Sequence, residues 1–141
     1  MIRSGRDVLT SKHPNKPGYY IELERWMKDT NLTLELADES SFGDVLLVPY
    51  EGLINDLEFS VKRICKFLDL SFDPAMLDFP KMSSVKNHGA FHGGKVEGIY
   101  RTSSMRWKNS QHRERVLLIE GNREAKELLE RVDRKIKETI R

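Results

Sequence analysis

Residues 1–11 read MIRSGRDVLTS, and how this stretch is interpreted decides the fold. Ile2 reads as the last residue of a strand whose beginning is missing. From Asp7 the run DVLTSKH predicts a short helix, which Pro14 and Pro17 end. Arg3 then follows a strand end, and Ser11 lies in or after the turn into a helix. An arginine offers a planar fork of donors suited to a phosphate. A hydroxyl at the start of a helix adds a donor where backbone N–H groups and the helix dipole already favour anions. On spacing alone the plainer reading stands ahead: Arg3 and Arg6 are surface charges and Ser11 is a helix residue.

Outward from this stretch the pattern alternates. A second helix is expected over 19–29, where Tyr20, Leu23, Trp26 and Met27 share a face. Residues 30–43 are mixed, with loop character around DESSFGD. VLLV at 45–48 is a continuous apolar run of the kind found in a strand buried on both faces. After Pro49 the period changes, and Leu57, Val61, Ile64 and Leu68 mark an amphipathic helix begun near Asn55 or Asp56. SFDPAML adds a helical turn with Pro74 at its first position. Residues 80–106 show no convincing helix or strand and are rich in Lys, His, Gly and Ser. A long irregular segment in a small chain is functional or mobile. Ser110 is placed to cap a helix through Glu120, and Gly121-Asn122 break it. In the tail, Ala125, Leu128, Leu129, Val132, Ile136 and Ile140 form one apolar stripe among charges. The simplest use of that stripe is docking on the rest of the chain; a partner helix or coiled coil is the minor alternative. The sum is α/β organisation with one convincing strand and a stub, which cannot make a sheet. The expectation is therefore of an incomplete chain.

The totals bound the function. The chain has 141 residues, 38% apolar and 33% charged, enough for one soluble domain with a modest core. With 24 basic and 22 acidic side chains the net charge is +2, so no global field favours nucleic acid. No apolar run is long enough to span a bilayer, and Arg3 and Arg6 are followed by polar residues rather than the apolar core of a signal peptide. Cys65 is the only cysteine and reads as a small buried hydrophobe, so a reducing, cytoplasmic compartment is the default. His88 and His92 have helical metal spacing but lie in a Gly-rich segment with no cysteine near, so no metal site is expected. There is no G-x-S-x-G elbow and no glycine-rich loop followed by Lys and Ser/Thr.

Several segments together resemble one family. IRSGRDVLTS is similar to a segment of the PAPS-dependent sulfotransferases with the consensus Arg-x-Pro-Arg-Asp-Val-x-x-Ser. Arg3, Arg6, Asp7, Val8 and Ser11 match at unchanged spacing, and Gly5 replaces the common proline. VLLVPYEGLINDLEFSVKRICKFLDLSFD resembles the family's strand, Tyr-Glu-(Asp/Gly)-Leu turn and following helix, FPKM its Phe-x-x-Met segment, and YRTSSMRWKNS its C-terminal loop bearing Trp-Lys-Asn. SSMRW is closer to the bacterial-type Ser-x-Gly-Arg-Trp pattern, with Met105 in the glycine's place.

The resemblance implies an incomplete P-loop-type sulfotransferase fold, α/β but mostly helical with one or two parallel strands. Residues 1–120 would be the C-terminal part of that domain and 121–141 a charged amphipathic helix beyond it. It implies that Arg3 and Ser11 bind the 3′-phosphate of PAPS or PAP, that Tyr50 and Phe79 contribute to the adenine pocket, and that Arg101 is the second phosphate ligand, with Arg106 and Lys108 in reserve. Arg6-Asp7 are structural, and Glu51 satisfies backbone donors at its turn. The family reaction is in-line sulfuryl transfer from PAPS to a hydroxyl or amine, in which positioning and charge stabilisation supply most of the rate. The loop that holds the 5′-phosphosulfate and the general base have no counterpart here, so no catalytic residue is assigned and the acceptor is not specified. A missing amino-terminal half, or self-association, would cover the apolar surface such a piece exposes. The rival reading is a non-catalytic helical interaction or oligomerisation module derived from that fold.

Overall fold

The computed structural model describes residues 1–12, 17–39, 45–82, 98–99 and 104–140. Among these residues there are seven α-helices: α1 (Gly5–Leu9), α2 (Leu23–Glu39), α3 (Tyr50–Asn55), α4 (Leu57–Phe67), α5 (Phe79–Met82), α6 (Arg113–Glu120) and α7 (Arg123–Ile140). Single 3₁₀ turns stand at Pro74–Asp78, Arg106–Lys108 and Ser110–His112.

The α/β expectation is overturned. Among the described residues no strand or sheet forms. Residues 45–48 have no regular secondary structure, and just beyond them Pro49 makes a single parallel bridge with Ile2, in which the Ile2 N–H donates to the Val48 carbonyl (2.9 Å) and the Tyr50 N–H to the Ile2 carbonyl (2.9 Å). A ladder needs successive residues on both strands, and here α1 begins three residues after Ile2. Nor is the run buried on both faces, since Val45 is exposed.

Helix α2 is longer than its first half suggests. The Thr30-Asn31-Leu32-Thr33 run has poor helix propensity, but Thr30 and Leu34 continue the buried line of Leu23 and Trp26. Tertiary burial therefore overrides propensity. The middle segment follows its local signals. Asp56 separates α3 from α4, and its carboxylate accepts the Phe59 N–H (3.0 Å). Helix α4 ends at Phe67 with Leu68 as its C-cap, Asp69 left-handed (φ 54°) and the Leu70 N–H returning to the Cys65 carbonyl (2.8 Å). Asp73 caps the turn that Pro74 opens, accepting the Ala75 N–H.

The core lies where α1, α2, α6 and α7 meet. Leu9, Leu34, Ile119 and Val132 are fully buried, joined by Ile2, Leu23, Trp26, Ala125, Leu128, Leu129 and Ile136. Gly5 makes the α1–α2 approach possible, because a Cβ there would fall 2.3 Å from a ring carbon of Trp26. The tail helix docks as its stripe predicts. Asn122 caps it by accepting the Ala125 N–H (3.0 Å), and Lys135 and Arg131 reach Asp38 on α2. Arg115 on α6 closes the body. Its guanidinium donates to the Leu9 carbonyl (3.1 Å), the Ile21 carbonyl (2.5 Å) and Glu22 (2.7 Å), and lies 4.6 Å from the Tyr19 ring centroid. No helix among the described residues is long and apolar enough to cross a membrane.

Candidate anion-binding site

Helix α1 organises the polar residues at both of its ends. At its head, the Ile2–Pro49 bridge draws two distant segments together. The Ser4 N–H donates to Glu51 Oε1 (3.0 Å), so Glu51 satisfies a backbone donor at this turn. The other Glu51 oxygen is buried without a hydrogen-bond partner among the described residues. The Arg3 guanidinium lies over the Tyr50 ring, 4.4 Å from its centroid. Such a contact contributes about 0.5–1 kcal/mol at an accessible site and fixes the fork's orientation.

Ser11 is at the other end. It lies two residues past the end of α1, after the C-cap Thr10, rather than opening the helix, which corrects the placement expected from spacing. The five residues of α1 span roughly 7 Å. The Ser11 hydroxyl donates to the Asp7 carbonyl (2.8 Å), and Thr10 Oγ1 donates to the Arg6 carbonyl (2.8 Å). Each hydroxyl proton is committed to the helix's own carbonyls, as serines and threonines in a last turn often are. To donate to an anion, Ser11 must release Asp7.

Beside this end opens a cleft of about 270 Å³ lined by Thr10, Lys12, Arg106, Asn109, Gln111 and His112. His112 is buried (3% exposed). Its Nδ1 lies 3.2 Å from the Tyr19 hydroxyl and its Nε2 3.2 Å from the Gln111 amide nitrogen. Because that amide nitrogen is a donor, this arrangement assigns the ring proton to Nδ1. Burial first, then the charges of Lys12 and Arg106, push the His112 pKa below its ordinary value.

Of the residues predicted from sequence, Arg3 and Tyr50 are brought together, while Ser11 is separated from them along α1. Phe79 begins α5, which packs on the Pro74–Asp78 turn; among the described residues no hydrogen bond or ring contact joins it to Arg3, Ser11 or Tyr50. Arg101, His13, His88 and His92 lie outside the described residues. The reserve cations are placed: Arg106 lines the cleft, and Lys108 lies 5.7 Å from the Trp107 ring centroid. Arg6 approaches the same ring (5.2 Å) and pairs with Asp133 (3.5 Å). Burial raises the Asp133 pKa against the opposing pull of Arg6 and Lys137. Asp7 is buried, with one carboxylate oxygen lacking a partner among the described residues. Met105 is left-handed (φ 61°), a conformation glycine adopts without strain.

The roles of Lys12, Asn109, Gln111 and His112 were not anticipated, nor that of Arg115. The available signal was the density of polar residues in RWKNSQHRER. Cys65 is buried, as expected, its thiol 3.7 Å from Met76 Sδ. Among the described residues no three His, Cys, Asp or Glu side chains gather as a metal site. Comparison with protein-family models, with curated proteins and with solved structures found no match to this chain.

Proposed function

We propose that the chain binds an adenosine 3′-phosphate nucleotide of the PAPS/PAP type, and belongs to a sulfotransferase whose reaction is sulfuryl transfer to a hydroxyl or amine. The observation that carries this reading is the junction at the head of α1. Two segments that each resemble the family, around Arg3 and around Tyr50, meet there with the guanidinium 4.4 Å from the ring centroid. A phosphate and a purine are the two halves of a nucleotide that such a pair suits: a bidentate donor fork beside an aromatic ring. Met105 adds support, being left-handed where the bacterial-type pattern has glycine. Arg3 and Tyr50 would hold the nucleotide, with Ser11 recruited once its hydroxyl leaves Asp7. When bound, PAPS supplies the activated sulfuryl group. The residues here account for binding and orientation, and no general base is assigned.

The test is calorimetry with PAP against adenosine 5′-phosphate. PAP should bind, and Arg3→Ala should weaken it by about tenfold or more, the scale of one lost charged hydrogen bond. Ser11→Ala should cost less, because its donor is already engaged. Absence of PAP binding at millimolar concentration, or equal affinity for the 5′-phosphate, would reject the reading.

A further inference from the structure

The geometry points to the cleft beside α1 as a binding site for a tetrahedral oxyanion, either inorganic phosphate or sulfate or the terminal group of a monoester. Its lining carries Lys12 and Arg106 as cations, the Asn109 and Gln111 amides as neutral donors and the buried His112 ring, with no carboxylate among these residues. An anion there meets positive charge in a partly enclosed space, where a charge interaction is stronger than in open solvent. Both hydroxyl-bearing residues at the end of α1 already donate to carbonyls, so the cleft's donors are nitrogens. This assignment does not rest on the nucleotide reading, since neither Arg3 nor Tyr50 lines the cleft.

His112 makes the site self-reporting. Lys12 and Arg106 help to keep the ring neutral. The other groups facing it from adjoining elements are Tyr19, bonded to Nδ1, and Arg115, stacked on Tyr19 and paired with Glu22. An anion between Lys12 and Arg106 offsets their field and lets the ring take a proton. By reciprocity, protonation must strengthen anion binding by the same factor. The imidazolium then donates from both nitrogens, and Gln111 turns its carbonyl toward Nε2.

The experiment is NMR of the His112 ring in the full chain, titrated with phosphate, sulfate and chloride at constant ionic strength. Phosphate and sulfate should give saturable shifts with Kd on the order of 1–10 mM, and chloride none. The ring's titration midpoint should rise when phosphate is present. Lys12 and Arg106 are both exposed, so Lys12→Gln with Arg106→Gln should leave the fold intact and weaken binding at least tenfold. Arg3→Ala should leave it unchanged. Competition by PAP would identify a monoester as the source and its absence a free ion; either sustains the site. Shifts that do not saturate, that chloride reproduces, or that survive the double substitution overturn it. Loss of phosphate binding in Arg3→Ala also overturns it.

Discussion

Helices α4 and α7 are both amphipathic, yet they sit in different surroundings. Along α7 the stripe from Ala125 to Ile136 is buried against α2 and α6. Along and after α4, Phe59, Phe67, Leu68, Leu70 and Met76 remain exposed, while the helix itself buries only Ser60 and Cys65. Among the described residues of 50–82, none belongs to the buried cluster that holds Leu34 and Val132. Amphipathicity thus specifies that a face can be buried; a counterpart of matching shape decides whether it is. The body formed by α1, α2, α6 and α7 holds the cooperative core. The segment 45–82 is tied to it by the Ile2–Pro49 bridge and by the Glu51 bond to Ser4.

The strongest way to break this contrast is a matched pair of truncations followed by urea unfolding. Leu34→Ala, in the body, should cost about 2–5 kcal/mol, whereas Leu68→Ala should stay within about 0.5 kcal/mol of the parent. Equal losses would mean that the two regions share one core after all. Arg115 sharpens the description of the body. Arg115→Ala removes donors from the Leu9 and Ile21 carbonyls and should cost about 1.5–3 kcal/mol by the same measurement. Arg115→Lys should recover little of it, because an ammonium cannot reproduce a planar fork serving three acceptors. The smallest effect concerns pH. The folded His112 ring resists protonation, so the unfolded chain binds the extra proton. Stability should therefore fall as pH drops through about 6.5, and His112→Gln should flatten that part of the melting-temperature profile. The raised Asp133 carboxyl works in the opposite sense, gaining stability only as pH falls further, toward the carboxylate range.

Legibility followed locality. The α7 stripe, the start of α4 near Asp56, the Pro74 turn and the Gly121-Asn122 break depend on neighbours in the chain, and all were readable. The limits of α2 were not, because Leu34 overcomes a weak local propensity only through contacts with the distant α7 body. VLLV misled for the same reason. An apolar run marks residues that a sheet could bury, but a sheet requires partners elsewhere, and Ile2 supplies one residue's worth. At the candidate site, Arg3 and Tyr50 emerged from motifs judged together, though not their contact with each other. The cleft did not, since Lys12 and His112 stand far apart in sequence and meet only through the packing of α1 on the turns before α6.

The close seating of Trp26 on Gly5 has an optical consequence. The chain holds two tryptophans in contrasting places: Trp26 is buried, with its indole N–H lacking a partner among the described residues, and Trp107 is half-exposed between Arg6 and Lys108. Emission from an indole shielded from water lies to the blue of one in contact with it, so the spectrum separates into a body signal and a cleft-side signal. An anionic quencher such as iodide is drawn to the cations around Trp107 and excluded from Trp26. Unfolding of the body and events beside the cleft can thus be followed in one unlabelled sample.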